Sequence, residues 1–366
     1  MLIKITKRTN TAVWLEKQNR WQIKVQRDGI RKTFTSSKPG RTGQREANAK
    51  ADAWLDEGIE NTKVKVKEMS EKYMEQLKIT TSQSHWRQYQ GYFDNWINPV
   101  IGTVKIENLT EQKMQDVINK GYSSGLSKKT LSNMKACLLA FLKFCRSCKA
   151  TTLFVEGLYV PKGAAVKEKR VLQPDDIKIL FSSSKTVYKG KEIDDPLINA
   201  YRFQVLTGLR PGELIGLHWD DIKDGVVHLR RAINEYGEVT NGKNDNARRD
   251  FALNIFSSSV LEAQKKIKTD SPYVFSDKYG EPVSQTIYYK HWVKYRDYNG
   301  ISSKSSPYEL RHTFVSAVKV LPEGYLKQIV GHSKDMDTYG VYSHRMADDM
   351  SDTALMIQEV FKNILA

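Results

Sequence analysis

The sequence predicts a multidomain chain of mixed α+β class. Its 366 residues exceed the length of one typical domain, and a hydrophobic content of 40% is sufficient for packed cores. Strand-like alternation occurs only near the amino terminus and in the carboxyl-terminal half, whereas helical spacing dominates elsewhere. We therefore expect a small three-stranded sheet with one helix, then an all-helical domain, then a mainly helical domain with a small sheet.

The first predicted domain spans residues 1–58. WQIKVQ (Trp21 to Gln26) alternates apolar and polar residues as a half-buried strand does, and Asp28-Gly29 favours a tight turn. RKTFTS (Arg31 to Ser36) then returns as the second strand, and residues 12–16 are the candidate for a third. A helix follows, with apolar residues on one face and Gly58 at its end: Ala47, Ala51, Trp54 and Leu55.

The sheet is predicted to leave one face open, because a single helix covers only the other. We expect the open face to carry four basic residues: Lys24, Arg27, Arg31 and Lys32. A sheet of this kind can lie in the major groove of duplex DNA while basic side chains contact phosphates. The alternative is an ordinary small domain with a solvated basic face.

The middle domain is predicted over residues 62–158. Aromatic residues recur at helical spacing from Trp86 to Trp96, and Pro99 is expected to stop that helix. Apolar stripes of this kind form a core. Lys128 and Lys129 occupy polar positions, where they either follow a DNA backbone or are simply solvated.

Residues 159–170 combine proline, glycine, small residues and charge, which is typical of an exposed linker. The third domain is predicted over residues 170–366. Two strand-like segments in it, VVHLRRAI and RRDFALNI, flank a turn rich in Gly, Asn and Asp. Helical spacing dominates the rest, including a helix that ends at Gly208.

The chain is strongly basic, because 58 Lys+Arg against 42 Asp+Glu give a formal net charge of +16. Such an excess is typical of a chain that binds a polyanion, nucleic acid first, although it can also serve only solubility. No apolar run reaches the roughly 18 residues of a membrane span, and the basic start lacks the apolar core of a secretory signal. The three cysteines lack a partner pair at zinc-site spacing. We expect an intracellular chain with no membrane segment and no bound metal.

Three short motifs in the third domain supply residues suited to phosphate chemistry: TGLRPGE (Thr207 to Glu213), YELRHTF (Tyr308 to Phe314) and GHSKDMDTYGVYSH (Gly331 to His344). Arg210 and Arg311 can each donate two parallel hydrogen bonds to a phosphate while remaining charged. Glu213 lies one helical turn beyond Arg210 and can hold it. Tyr342 can attack a phosphodiester.

His332 and Lys243 are the candidates for phosphate support and proton transfer. His332 can hydrogen-bond a phosphate oxygen, or it can be a satisfied core histidine. Lys243 lies on the turn between the two strand-like segments, where a mobile lysine suits a general acid that approaches once DNA is bound. Standing alone, it would be an exposed loop lysine.

Taken together, these motifs resemble the tyrosine recombinase family of phage integrases, integrative-element integrases and chromosome-dimer resolving enzymes. The resemblance covers roughly residues 62–366 and is strongest at TGLRPGELIGLHWDDI, YELRHTF and GHSKDMDTYGVYSH. INPVIGTVKIENLT and GLSKKTLSNM resemble the family's helical, SAM-like core-binding domain. The basic amino-terminal piece resembles the arm-binding domain of integrases from phages and integrative elements of Gram-positive bacteria.

The resemblance implies a recombinase that needs no cofactor and no metal, and that integrates or excises a mobile element through a Holliday junction. Arg210 and Arg311 would clamp the phosphate. Lys243 would protonate the leaving 5′ oxygen, and His332 would support the phosphate or move the attacking proton. Tyr342 would form a covalent 3′-phosphotyrosine.

Tyr308 departs from the family pattern, which commonly has histidine at this position. A phenol can hydrogen-bond a phosphate oxygen but hardly acts as an acid or base at neutral pH, so we hypothesise that Tyr308 positions the phosphate. Two other functions share much of the sequence evidence: relaxation of supercoils by a type IB topoisomerase-like enzyme, and DNA binding without catalysis on a recombinase scaffold. The separate basic domain and the carboxyl-terminal tail favour recombination.

The resemblance also implies partners and a location. The partner is double-stranded DNA at core and arm attachment sites, in the cytoplasm of a bacterial host, with accessory DNA-bending or excision factors as further candidates. A homotetramer is expected to form through the tail, where four residues line one helix face: Ala354, Ile357, Phe361 and Ile364. The alternative is that this face packs against its own domain.

Overall fold

A computed structural model describes residues 10–27, 30–56, 64–166, 168–242, 248–267, 270–331 and 349–366 of the protein. The chain divides into two compact units, residues 1–167 and 168–366. Helices and small antiparallel sheets make up both units, which confirms the predicted mixed α+β class. Within the described ranges, no helix combines the length and the apolarity that crossing a bilayer requires.

The first unit begins with a three-stranded antiparallel sheet and one helix, as predicted. The strands are β1 (Val13–Leu15), β2 (Arg20–Arg27) and β3 (Ile30–Ser36), in spatial order β1-β2-β3, and the helix is α1 (Gly40–Asp56). The small core between sheet and helix consists of Ala12, Ile23, Val25, Ala47, Ala51 and Trp54. The turn at residues 28–29 and the predicted helix end at Gly58 lie outside the described residues.

The strand register divides the predicted basic residues between two faces. Val25 is buried against α1, and Lys32 is its cross-strand partner. The Lys32 ammonium lies 5.6 Å from the ring centroid of Trp54 on α1, so the expectation that Lys32 shares the open face is wrong. The reason is the two-residue period of a strand, which puts Lys32 on the same side as the core residues. Lys24 and Arg31 have the opposite parity and are exposed on the open face.

The side chain of Arg27, the fourth predicted basic residue, lies outside what the structure describes. Its backbone pairs with that of Ile30 at the end of the β2–β3 ladder. The open face is therefore defined, among the predicted residues, by Lys24 and Arg31.

Residues 66–147 of the first unit are mainly helical. Its helices are α2 (Val66–Thr80), α3 (Gln83–Tyr92), α4 (Asn98–Ile101), α5 (Glu111–Ser123) and α6 (Lys128–Ser147), which share one core. The prediction that Pro99 stops the helix is wrong, because a π-helical turn (Phe93–Ile97) leads directly into α4 and Pro99 lies in the first turn of that helix. Proline is tolerated there, since N–H groups of a first turn have no intrahelical acceptor.

The segment after α6 is bonded to the helical core over much of its length. The Gln115 side chain donates to the carbonyl of Tyr159 and accepts from its N–H, both at 3.1 Å. The N–H of Lys128 donates to the carbonyl of Ala165 at 2.8 Å. In the second unit the N–H of Arg170 donates to the Glu309 carboxylate at 2.8 Å. The bonds at Ala165 and Arg170 lie closer together in the chain than the bounds of the predicted linker at 159–170.

The second unit is mainly helical and contains small antiparallel sheets. Its helices are α7 (Pro174–Ser182), α8 (Ile198–Thr207), α9 (Pro211–Ile215), α10 (Ile255–Ile267), α11 (Gln285–Tyr298), α12 (Pro307–Ala317), α13 (Glu323–Val330) and α14 (Asp349–Leu365). Its strands are β4 (Lys185–Tyr188), β5 (Lys191–Asp194), β6 (Ile222–Lys223), β7 (Val226–Leu229), β8 (Ala232–Ile233), β9 (Val239–Thr240) and β10 (Arg249–Ala252). Both strand-like segments are confirmed, since β7 pairs with β10 antiparallel.

Helix α8 lies at the centre of the second unit's core, buried along almost its whole length and in contact with α10 and α12. Helix α14 packs against α7 and β10 of the same unit. Its Ile357 and Phe361 belong to this core, and Phe361 is completely buried. In the single chain, the apolar face of the tail therefore covers its own unit, which is the alternative that the sequence leaves open.

Candidate active site

Arg210 stands at the junction of two helices. Gly208 ends α8 in the left-handed conformation (φ +66°), and Pro211 opens α9 at a position where the missing N–H costs no intrahelical bond. A Cβ on Gly208 would lie 2.3 Å from Cδ1 of Phe314 on α12, so glycine is required for space as well as for φ. This rigid junction fixes the backbone from which the Arg210 side chain projects.

Glu213 holds Arg210, as expected from its position one turn later. Its Oε2 accepts from the Arg210 backbone N–H at 2.9 Å, and its Oε1 accepts from Nη1 of the same arginine at 2.6 Å. Nη2 of Arg210 donates to the carbonyl of Gly331 at 3.2 Å. Only 16% of the Arg210 side chain is exposed. Most of the side chain is therefore buried, and a small part of it remains accessible to a ligand.

Arg311 reaches the same place from α12 and is 2% exposed. Its Nη1 donates to the carbonyl of Gly208 at 2.8 Å, and its Nη2 donates to the carbonyl of Val330. A guanidinium has five N–H donors, and the described protein oxygens take two from Arg210 and two from Arg311. Both arginines therefore retain donors for an anion.

The carboxyl end of α13 accepts hydrogen bonds from three arginines. The successive carbonyls of Ile329, Val330 and Gly331 accept from Arg249, Arg311 and Arg210 respectively. The last carbonyls of a helix lack intrahelical partners and carry the negative end of its dipole. An arginine both donates to these carbonyls and offsets the negative end of the dipole. The three arginines therefore meet at this helix end.

The sequence assigns no role to Arg249, the first residue of β10, although the resemblance places it at a basic position of the family's hairpin after Lys243. Its Nη1 and Nη2 donate to Oε1 and Oε2 of Glu213 at 3.1 and 2.9 Å, and its side chain is 4% exposed. One signal for it exists in the sequence, because Arg249 and Phe251 alternate onto the same, buried face of the strand. A charged residue at such a position requires a buried partner.

The described residues of the pocket carry an excess of positive charge. Arg210, Arg249 and Arg311 against Glu213 give 3 − 1 = +2. Burial, followed by the charge of Arg210, lowers the pKa of Arg311 to about 10. Burial alone would raise the pKa of Glu213, but the hydrogen bonds and charge of Arg249 and the charge of Arg210 hold it below its ordinary value. The carboxylate therefore stays ionised, and the remaining positive charge favours an anionic ligand.

Tyr308 lies in the first turn of α12, one turn before Arg311, and is 47% exposed. Its ring meets that of His312 edge-on, with the centroids 5.3 Å apart. Tyr308 is also close enough to Arg311 to act on the pKa of that residue. An exposed phenol on the same side of the helix as the guanidinium is suited to contact a shared ligand.

Lys243, His332 and Tyr342 lie outside the described residues. The structure fixes what precedes His332 in the chain, since Gly331 is bonded to Arg210. Among the predicted DNA contacts in the first unit, Lys128 and Lys129 are exposed in the first turn of α6.

Two family models match this chain. Residues 170–348 match the phage integrase family, and residues 65–121 match the SAM-like amino-terminal domain of phage integrases. A tyrosine recombinase XerC-like protein of Caldanaerobacter subterraneus is 21% identical over 98% of this chain and 100% of its own length. The integrase of Staphylococcus phage L54a is 22% identical over 66% of this chain and 76% of its own length.

Solved structures of two integrases share the fold. The Tn1549 transposon integrase in complex with transposon right end DNA has a TM-score of 0.61 at 17% identity, over 79% of this chain and 98% of that chain. A lambda integrase dimer bound to a core site has a TM-score of 0.57 at 16% identity, over 93% of this chain and 99% of that chain. Likeness at these identities shows a common architecture.

A mainly helical unit with a buried arginine pocket and a carboxyl-terminal tyrosine motif defines an enzyme of the DNA breaking-and-rejoining class. The two family matches fall on the helical part of the first unit and on the second unit. The chain belongs to the phage integrase family, whose members are tyrosine site-specific recombinases.

Proposed function

We propose that this chain is an integrase that breaks and rejoins DNA strands at specific sites through Tyr342. The observation that carries the proposal is the pocket in which Arg210 and Arg311, from distant parts of the sequence, are held by one helix end and keep donors for a phosphate. The net positive charge of the pocket supports a phosphodiester as the ligand. Membership of the family supports the reaction class.

The proposed reaction is a displacement at phosphorus. The Tyr342 oxygen attacks, the bond between phosphorus and the 5′ oxygen breaks, and a covalent 3′-phosphotyrosine forms. Lys243 gives a proton to the leaving 5′ oxygen, and His332 takes the phenolic proton or supports the phosphate. The 5′ hydroxyl of the partner strand then loses its proton and attacks the phosphotyrosine, and the bond between phosphorus and the Tyr342 oxygen breaks. A phosphodiester is restored and Tyr342 leaves as a protonated phenol, so no nucleotide cofactor is consumed.

Arg210 and Arg311 act mainly on the transition state, where negative charge grows on the non-bridging oxygens. Removal of one such pre-positioned donor costs about 10²–10³-fold in rate. Tyr308 contributes a hydrogen bond to the phosphate and no proton transfer, because the hydroxyl of a tyrosine keeps its proton at neutral pH.

The proposal assigns a DNA contact to each part of the chain. Residues 1–58 bind arm-type sites, residues 62–158 bind the core site, and residues 170–366 carry out the chemistry. Four exposed basic residues are the proposed phosphate contacts of the first two parts: Lys24, Arg31, Lys128 and Lys129. Two lysines and no acidic residue in the first turn of α6 oppose the helix dipole, an arrangement that an external phosphate offsets. The setting is the cytoplasm of a bacterial host, with DNA-bending or excision factors as accessory partners.

A homotetramer is proposed for strand exchange. A lambda integrase tetramer bound to a Holliday junction, with a TM-score of 0.56 at 16% identity, supports it. Ile357 and Phe361 of α14 lie in the core of their own unit, whereas Leu355 and Met356 on the same helix are 57% and 42% exposed. We assign the contact with a neighbouring subunit to these exposed apolar side chains.

A nicked suicide oligonucleotide that carries the attachment core tests the chemistry. Wild-type protein is expected to appear on a denaturing gel as a DNA-linked species, and Tyr342→Phe is expected to bind the same DNA on a native gel without forming it. Tyr308→Phe should still form the adduct, at a reduced rate. A wild-type protein that binds the oligonucleotide but forms no adduct would leave DNA binding without catalysis as the function.

A second assay separates recombination from supercoil relaxation, because both use a covalent phosphotyrosine. A plasmid with two attachment sites is expected to yield exchanged products. Relaxed plasmid with unexchanged sites would assign a topoisomerase-like function to the chain.

A further inference from the structure

Arg249 is buried beside Arg210 and Arg311, and the reaction proposed above gives it no role. Its two terminal nitrogens bind both oxygens of Glu213, and its Nε donates to the carbonyl of Ile329. A bidentate arginine–carboxylate pair has a defined geometry as well as charge. This side chain therefore joins three elements: β10, the α8–α9 junction and the end of α13.

Glu213 is shared between Arg249 and the phosphate-binding Arg210. Each of its oxygens accepts one bond from each arginine, at distances from 2.6 to 3.1 Å. With Arg249 removed, the carboxylate would keep one partner in a site where it is 2% exposed. Loss of one member of a buried ionic network leaves an incompletely compensated charge, which is costly.

The end of α13 is held by the same three arginines through consecutive carbonyls. Arg249 takes the first of these, Arg311 the second and Arg210 the third. The two phosphate-binding arginines donate hydrogen bonds to neighbouring carbonyls, so a shift of the helix end moves both side chains. Arg249 binds this helix end and Glu213 together, so it sets the distance between the two supports of Arg210.

We propose that Arg249 is a positioning residue of the recombinase. It fixes the position of Glu213 relative to the end of α13, so that Arg210 and Arg311 face one phosphate. The inference rests on the proposed function and deepens it. It assigns to Arg249 an effect on the cleavage step that goes beyond the stability of the fold.

The distinguishing property is a pH dependence. Among the described residues, the charged groups that face Glu213 are Arg210 at its own junction, Arg249 from β10 and Arg311 from α12. Without Arg249, burial would raise the pKa of Glu213, and a protonated Glu213 holds Arg210 less well. Arg249→Met should therefore cleave most slowly at the acidic end of the profile and recover as the pH rises.

The test uses the full chain, the nicked suicide oligonucleotide at saturating protein, and the rate of adduct formation between about pH 6 and 9. Misplacement of reacting groups by about 1 Å can cost about 10²-fold, and we expect a loss of that order for Arg249→Met at pH 6, with unchanged DNA affinity in gel shift. The double variant Glu213→Gln/Arg249→Met should lose the added pH dependence, because the titrating group is gone. Arg249→Lys keeps the charge with one bond and should retain a folded chain with an intermediate rate.

Arg248→Met is the matched control. Arg248 precedes Arg249 in the chain, but it is exposed and bonds to Asn241. It should follow the wild-type profile at saturation. A wild-type profile for both Arg249→Met and Arg249→Lys would overturn the inference, as would a slowed Arg249→Lys whose profile is parallel to wild type at every pH. Failure of the wild-type protein to form any adduct would instead count against the proposed function.

Discussion

Gly208 occupies a point where backbone conformation and packing both exclude a larger residue. Its φ of +66° lies in the left-handed region, and the space that a Cβ would need is filled by Phe314. Its carbonyl also holds Arg311. A change of one methyl group at this position therefore acts on the fold and on the position of Arg311 together.

The expected outcome for Gly208→Ala is a large loss of stability. The left-handed conformation costs about 1–2 kcal/mol for a residue with a Cβ, and overpacking against Phe314 adds about 1–3 kcal/mol. Gly225→Ala is the control, because Gly225 has a φ of +72° with open space around it, so only the backbone cost applies. Urea unfolding measures both. Equal losses for the two variants would show that Phe314 yields without cost.

At this scale the sequence predicts near neighbours well and distant ones poorly. The bond between Glu213 and Arg210 follows from a spacing of one helical turn. The bond between Glu213 and Arg249 spans 36 residues and depends on how β10 packs against the junction. The backbone carbonyls that hold the arginines have no sequence signature at all, because every residue carries one.

Among the elements, the amino-terminal sheet offers the sharpest test of partner binding. Lys24 and Arg31 lie on its open face, while Lys32 lies beside Trp54 on the helix side. All three are exposed basic residues on paired strands. They differ in the face that they occupy, so they form a matched set.

We expect the double variant Lys24→Gln/Arg31→Gln to weaken the salt dependence of DNA binding, and Lys32→Gln to leave it unchanged. Each lost phosphate contact lowers the slope of log affinity against log salt by about 0.9, which gives a change of about 2 for the pair. Fluorescence anisotropy with duplex arm-site DNA over a range of salt concentrations measures the slope. An equal effect of the Lys32 variant would mean that the open face is not the binding face.

Alternation and capping in the sequence predict which elements form, and tertiary contacts decide where they end. The helix continues through Pro99 because a π-helical turn ends at Ile97 and leaves Pro99 in the first turn of α4, where its missing N–H is tolerated. Part of the predicted linker at 159–170 is bonded to the first unit. The Gln115 side chain pairs with both the carbonyl and the N–H of Tyr159. The amino-acid composition of a segment cannot predict such a bond to a distant residue.

On the scale of the whole molecule, α14 combines a cis-packed face with exposed apolar residues. Leu355→Asp/Met356→Asp is expected to abolish tetramers on a Holliday junction, because a charge in an apolar subunit contact is desolvated without a partner. Tyr279→Asp is the control, since Tyr279 is 76% exposed on the same unit. Sedimentation of the Tyr342→Phe background on junction DNA measures assembly. Tetramers that persist in the double variant would place the contact elsewhere.

Among the described hydrogen bonds, that of Ala165 is the last within the first unit and that of Arg170 is the first within the second. Each unit has its own hydrophobic core, so extra residues spliced in here would disturb neither. Closing a longer flexible loop is cheap, about 0.6 kcal/mol for each doubling of its length. The spacing between the two units can therefore change in evolution, or by engineering, without a change to either core.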